Sequence, residues 1–168
     1  MAHGSAARDI SRNGFELSLA NQQSVHAVDK GRLLKAARRV LVDSKFDSAT
    51  ISLAVVDDPT IHALNRRFLD HDWPTDVLSF VLDERDGHLN GEVVISADTA
   101  AAAAASEGHW TPADEQLLYV IHGMLHLVGL DDQSETDVRK MRAAERYYLR
   151  ECGVEPVANN GGGGTTAW

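Results

Sequence analysis

The stretch that most constrains this chain is TPADEQLLYVIHGMLHLVG, residues 111–129. Thr111 and Asp114 form a capping box, Pro112 takes the first helical position where its missing N–H costs nothing, and Gly129 is the residue type that ends a helix. Between these signals Leu117, Val120, Ile121, Met124, Leu125 and Val128 recur at helical spacing and predict a core stripe. Leu118, His122 and His126 fall on an adjacent face. An apolar helix normally excludes histidine. Two of them four residues apart bring their imidazoles to one side of the helix, within reach of a single metal ion. Beyond the turn at Gly129, two carboxylates put a third ligand within reach.

Strand and helix signals alternate through the rest of the chain. FELSLAN (15–21) and TISLAVVD (50–57) read as strands. DKGRLLKAARRVLVD reads as a helix capped by Asp29, and PTIHALNRRFL as one carrying Ile61, Leu64 and Phe68 on a stripe. DVLSFVL and GEVVIS look like a hairpin around Asp86-Gly87 and Asn90-Gly91. The alanines from Ala100 to Ala105 form a helix between Asp98 as cap and Gly108 as stop, and a last helix spans about Ser134 to Cys152 with Val138, Met141, Tyr148 and Leu149 inward. The expected fold is α/β: one mixed sheet of about four strands surrounded by helices, with the metal site on a central helix and the loop after it.

With 43% hydrophobic and 24% charged residues, 168 residues suffice for one domain with its own core. We place it at residues 15–153, after an N-terminal arm (1–14) and before a flexible glycine-rich tail (154–168). The net charge of −9 repels polyanions and argues against a simple DNA-binding module, so DNA is not an expected partner. Any nucleic acid must be met by a local basic patch or a bound metal. Cys152 has no partner for an internal disulfide and reads as a buried, reduced thiol. No apolar run reaches bilayer length and no signal segment is visible, so no membrane association and a cytoplasmic location are expected.

A zincin would carry Glu directly after its first histidine as general base, and here that residue is Gly123. The run HGMLHLVGLDD is instead similar to the signature of the YbeY family, H-G-x-L-H-L-x-G-x-D-H, matched by His122, Gly123, Leu125, His126, Leu127, Gly129 and Asp131. LNRRFLDHDWPTDVLSF (64–80) and GEVVIS resemble the family's other blocks, in the same order and spacing, so the resemblance covers roughly residues 15–153. It implies an α/β domain with one zinc held by the signature's three ligands. It also implies endoribonuclease activity on single-stranded RNA, in ribosomal RNA maturation and ribosome quality control, with a ribosomal RNA precursor and the ribosome or ribosomal proteins as partners.

Two positions depart from the pattern. The third ligand is histidine in the family and Asp132 here, a chemically sound replacement that also admits Fe2+ or Mn2+ beside Zn2+. The family's arginine, five residues after the leucine of its L-N pair, is Leu69 here. Arg66, one turn back on the same face, is the candidate substitute for contacting phosphate; the other reading makes Arg66 and Arg67 a solvated helix face. The expected site is therefore His122, His126 and Asp132 as metal ligands with Asp131 and Arg66 as catalytic residues. Asp131 would orient a ligating histidine or accept a proton from water, unless it is only a turn residue. Thr75, Asp76 and Ser79 are candidates to line the cleft. Two competing functions are a non-catalytic ribosome-associated factor with a structural metal and a small-molecule metallohydrolase.

Overall fold

Alternating apolar residues build the middle of the molecule. In the computed structural model, which describes residues 7–10 and 14–157, the chain runs β1 (Ala7–Ile10), β2 (Phe15–Asn21), α1 (Lys30–Val42), β3 (Ser48–Val56), α2 (Asp58–Leu69), β4 (Val77–Arg85), β5 (His88–Ser96), α3 (Ala97–Glu107), α4 (Pro112–Leu127) and α5 (Glu135–Glu151). In β2, Phe15, Leu17 and Leu19 point into the core while Glu16 and Ser18 face away. The sheet order is β1-β2-β3-β5-β4. β2, β3 and β5 are parallel, and β1 and β4 join antiparallel at the two edges. The architecture is the expected mixed α/β sheet, with β1 as an additional strand.

That additional strand comes from the segment expected as an arm: Ala7 lies opposite Leu19 and Ile10 opposite Glu16. Four residues are too short to carry a visible periodicity, and the pairing is supplied by the free edge of β2. At the other end Val154 is buried in the main core and its N–H donates to Leu149 O at 2.9 Å. The rest of the expected tail falls largely on residues 158–168, outside the described residues. Cys152 caps α5 and is half-buried, and that burial pushes its thiol pKa up.

One large core holds α1, α4 and α5 against the sheet, through Leu33, Val40, Ile51, Ile95, Ile121 and Leu149 among others. A smaller cluster of Ile61, Val56, Leu78 and Val94 seats α2. The stripe expected on α2 holds only in part. Ile61 is buried, but Phe68 is 56% exposed, and the buried residue in that half of the helix is Asn65, whose Nδ2 donates to Trp73 O at 2.8 Å. The cap of α3 also differs from expectation. Ser96, still extended at the end of β5, accepts from Thr99 N–H, while Asp98 lies inside the first turn and binds His26 and the Asp58 N–H. The hairpin turns at Asp86-Gly87, with both φ positive, and Asn90-Gly91 falls within β5.

Candidate metal centre

The helix that carries the histidines begins with both halves of its capping box formed: Asp114 N–H donates to Thr111 Oγ1, and Thr111 N–H to Asp114 Oδ2, each at 3.2 Å. Arg32 braces the same carboxylate at 2.8 Å. At the far end Gly129 adopts φ 109°, and Leu130 N–H closes back on Leu125 O. Between the caps α4 lies very close to the sheet. A Cβ at Gly123 would come within 2.6 Å of Val93 Cγ1 and 3.1 Å of Val77 Cγ2, and a Cβ at Gly91 within 2.9 Å of Leu127 Cδ1. Glycine at 123 is thus what lets the helix seat; the glutamate of a zincin would have no room there.

Seating α4 brings His122, His126 and Asp132 together. His122 Nε2 and His126 Nε2 are 3.0 Å apart, and Asp132 Oδ2 stands 3.7 Å from the first and 3.6 Å from the second. Two ligands of a tetrahedral ion with bonds of about 2.0–2.1 Å are separated by roughly 3.3 Å, so these three atoms could hold a metal ion with little movement.

The hydrogen bonds on the other side of each ring fix which nitrogen faces that point. His126 Nδ1–H donates to Leu130 O at 3.0 Å; a carbonyl only accepts, so in the neutral ring the hydrogen is on Nδ1. His122 Nδ1–H donates to Glu145 Oε1 at 2.7 Å. Both Nε2 atoms therefore face the Asp132 carboxylate, and with both rings neutral the three could hold a cation between them. Burial, and then the neighbouring His122, lowers the His126 pKa and keeps that ring available as a ligand.

Glu145 is the residue that sequence reasoning missed. It is 4% exposed, and Arg142 Nη1 binds its other oxygen at 3.0 Å. Burial pushes its carboxyl up, but the bond from His122 and the Arg142 guanidinium together outweigh this and hold it below its ordinary value. The signal was present in the sequence: Glu145 interrupts the apolar stripe of Met141, Tyr148 and Leu149 on α5.

Asp131 and Asp132 both line a cleft of about 400 Å³ with Leu69, Ser79, Val81 and His126. Asp131 Oδ1 accepts from Asp132 N–H at 2.8 Å, so the residue seen to orient a histidine is Glu145, not Asp131. Arg66 is exposed, 3.9 Å from Asp72, and is not among the described residues lining the cleft, whereas Leu69 is. Of the three other candidates Ser79 lines the cleft. Thr75 is buried with its hydroxyl on Val77 O, and Asp76 caps Val77 N–H at 2.9 Å. Burial pushes the Asp76 carboxyl up to about 6, against the opposing pull of His122.

Similarity to known proteins agrees with this geometry. The family model described as endoribonuclease YbeY matches residues 18–153. An endoribonuclease YbeY of Rhodopirellula baltica is 42% identical over 116 residues, spanning 68% of this chain and 60% of that protein. One from Syntrophotalea carbinolica is 38% identical over 137 residues, 77% of this chain and 90% of its own length. Among solved structures, the solution structure of TM1509 from Thermotoga maritima superposes with a TM-score of 0.54 at 26% identity, covering 80% of this chain and 90% of that one. With a family match over residues 18–153 and the signature histidines brought together beside Asp132, the chain belongs to the endoribonuclease YbeY family.

Proposed function

We propose that this protein is a metal-dependent, single-strand-specific endoribonuclease acting on ribosomal RNA precursors in the cytoplasm, in ribosomal RNA maturation and ribosome quality control, with Zn2+ as its metal. The observation that carries the reading is the convergence of three acceptors, His122 Nε2, His126 Nε2 and Asp132 Oδ2, with both histidine tautomers set from behind by Glu145 and the Leu130 carbonyl. Three protein ligands at the edge of an open cleft are the pattern of a catalytic site, since structural zinc is usually closed by four. When bound, the ion supplies Lewis acidity toward a phosphate oxygen and lowers the pKa of water.

The chain's own residues do the rest. Glu145 and Leu130 hold the two rings in ligating orientation. Asp131, exposed beside Asp132 on the cleft, is positioned to take a proton from water. Arg66 reaches phosphate from the outer rim by exchanging its distant partner Asp72. Among the described residues, no helix is long and apolar enough to cross a membrane. The test is cleavage of single-stranded against duplex RNA by metal-loaded protein, with chelation and metal add-back. Loss on chelation and recovery with zinc, on single strands alone, supports the proposal. Intact RNA in the presence of bound metal overturns it in favour of a non-nucleolytic factor.

A further inference from the structure

A cleft that receives RNA must attract more of it than one phosphate, yet no lysine or arginine is among the described residues lining this one. The nearest arginines in sequence lie outside that lining, Arg66 facing Asp72 at 3.9 Å and Arg67 over the Phe68 ring at 5.1 Å. What borders the cleft instead is apolar and open: Leu69 is 45% exposed and Val81 on the edge strand β4 is 52% exposed.

From Leu69 on the cleft wall the chain runs through a loop to Val77, whose Cγ2 packs 3.1 Å from where a Cβ at Gly123 would stand. The loop is therefore tethered at one end to the cleft and at the other to the residue after His122. In its middle the rings of His71 and Trp73 stack, 4.5 Å between centroids and 13° from parallel. Trp73 is 52% exposed, so a stack already two rings deep ends in an indole open to solvent. Its position is fixed from beneath: Asn65 Nδ2 donates to Trp73 O, His71 N–H donates to Asn65 O, and Asp70 ends α2 with φ 56°. An exposed tryptophan whose backbone is anchored to Asn65, in the loop that leaves Leu69 of a cleft without cations among its described lining residues, has the chemistry of a platform for a third planar ring.

Building on the ribonuclease reading, we propose that the His71–Trp73 stack, with the apolar wall of Leu69 and Val81, is a base-stacking subsite for a nucleobase of the single-stranded RNA near the bond to be cut. Stacking is tolerant of sequence and demands an unpaired base, because a paired one has both faces covered by its neighbours. Preference for single strands then follows from the site itself. Trp73 acts here as a positioning residue, through substrate binding and not through the chemical step.

The experiment compares wild type, Trp73→Ala and Trp73→Phe, all metal-loaded, by KM and kcat on a short single-stranded RNA. It adds the affinity of the same fluorescently labelled RNA with chelator present so that nothing is cut. We expect Trp73→Ala to raise KM and weaken binding about tenfold with kcat within about twofold, and Trp73→Phe to recover most of the loss. An abasic residue at the stacked position should weaken wild type equally and add nothing further in Trp73→Ala. Unchanged affinity in Trp73→Ala, or no recovery by phenylalanine, overturns the proposal, and a protein partner then becomes the reading of this rim. If wild type binds RNA in a Trp73-dependent way but never cuts it, the subsite stands and the nuclease reading falls. If it neither binds nor cuts, both fall.

Discussion

His122 donates through Nδ1 to Glu145 Oε1 at 2.7 Å, with the two residues only 7% and 4% exposed. A buried carboxylate behind a ligating imidazole fixes the tautomer and makes the opposite nitrogen a better donor to a metal. Replacing Glu145 by alanine should lower zinc affinity about 10- to 100-fold, as read by competition with a chromophoric chelator. Glu145→Gln keeps an oxygen to accept the Nδ1 hydrogen and should lose less. Equal affinities in wild type and Glu145→Ala would mean that the ring needs no such support.

Asp132 is the candidate third ligand in place of the family's histidine, with Oδ2 standing 3.6–3.7 Å from both Nε2 atoms. Elemental analysis of purified protein should find about one metal per chain, lost in Asp132→Ala. Asp132→His should retain the metal and shift selectivity toward zinc over iron and manganese, because it removes the only oxygen donor from the set. Full metal content in Asp132→Ala would remove the aspartate from the site.

How far the sequence revealed this molecule depended on whether the determinants were local. Helix ends were legible because caps act over three or four residues: Asp29, Thr111 and Ser134 each accept from the backbone N–H three positions on, and Gly108, Gly129 and Gly153 all have positive φ. The choice between Ser96 and Asp98 as a cap was not local, since it turns on where β5 stops and on Asp98 finding His26, 72 residues away. The histidine pair stood out because it violated an apolar helix. Asp132 was identified only through the family signature, since spacing alone left two aspartates equivalent. Glu145, on another helix, needed the packing of α5 against α4 to acquire its meaning. Arg66 and Arg67 are exposed on α2, as the reading of a solvated helix face had it, and the approach of Arg66 to Asp72 depends on the course of the loop after the helix.

The contact that excludes a side chain at position 123 should be measurable. Gly123→Ala puts a Cβ 2.6 Å from Val93 Cγ1, so the branched Val93 side chain or the helix itself must give way. We expect destabilisation of about 1–3 kcal/mol by urea unfolding, despite alanine's better helix propensity. Val93→Ala removes the opposing methyls, so the double variant should be more stable than the sum of the two single changes predicts, by about 1 kcal/mol. Strict additivity would show that the two positions do not press on one another.

Glu115, 7% exposed in the first turn of α4, should give the protein a distinctive pH dependence. Burial, with Glu107 and Asp76 adding repulsion, pushes its carboxyl from 4.5 up to about 7, and Tyr119 donates to it in partial compensation. Below pH 4.5 both folded and unfolded chains hold the proton. Between 4.5 and about 7 the unfolded chain releases it while the folded one keeps it, so stability falls as pH rises through this window and levels off above it. Glu115→Gln keeps an acceptor for Tyr119 and cannot ionise. Its urea midpoint should match wild type near pH 4.5 and exceed it at pH 8, by about 1–2 kcal/mol in unfolding free energy. The Asp76 carboxyl, itself raised to about 6, should drop in the variant because a neighbouring negative charge has gone, which moves the comparison in the same direction. A gap between the two proteins that stays constant from pH 4.5 to 8 would show that Glu115 ionises in the folded state as easily as in water.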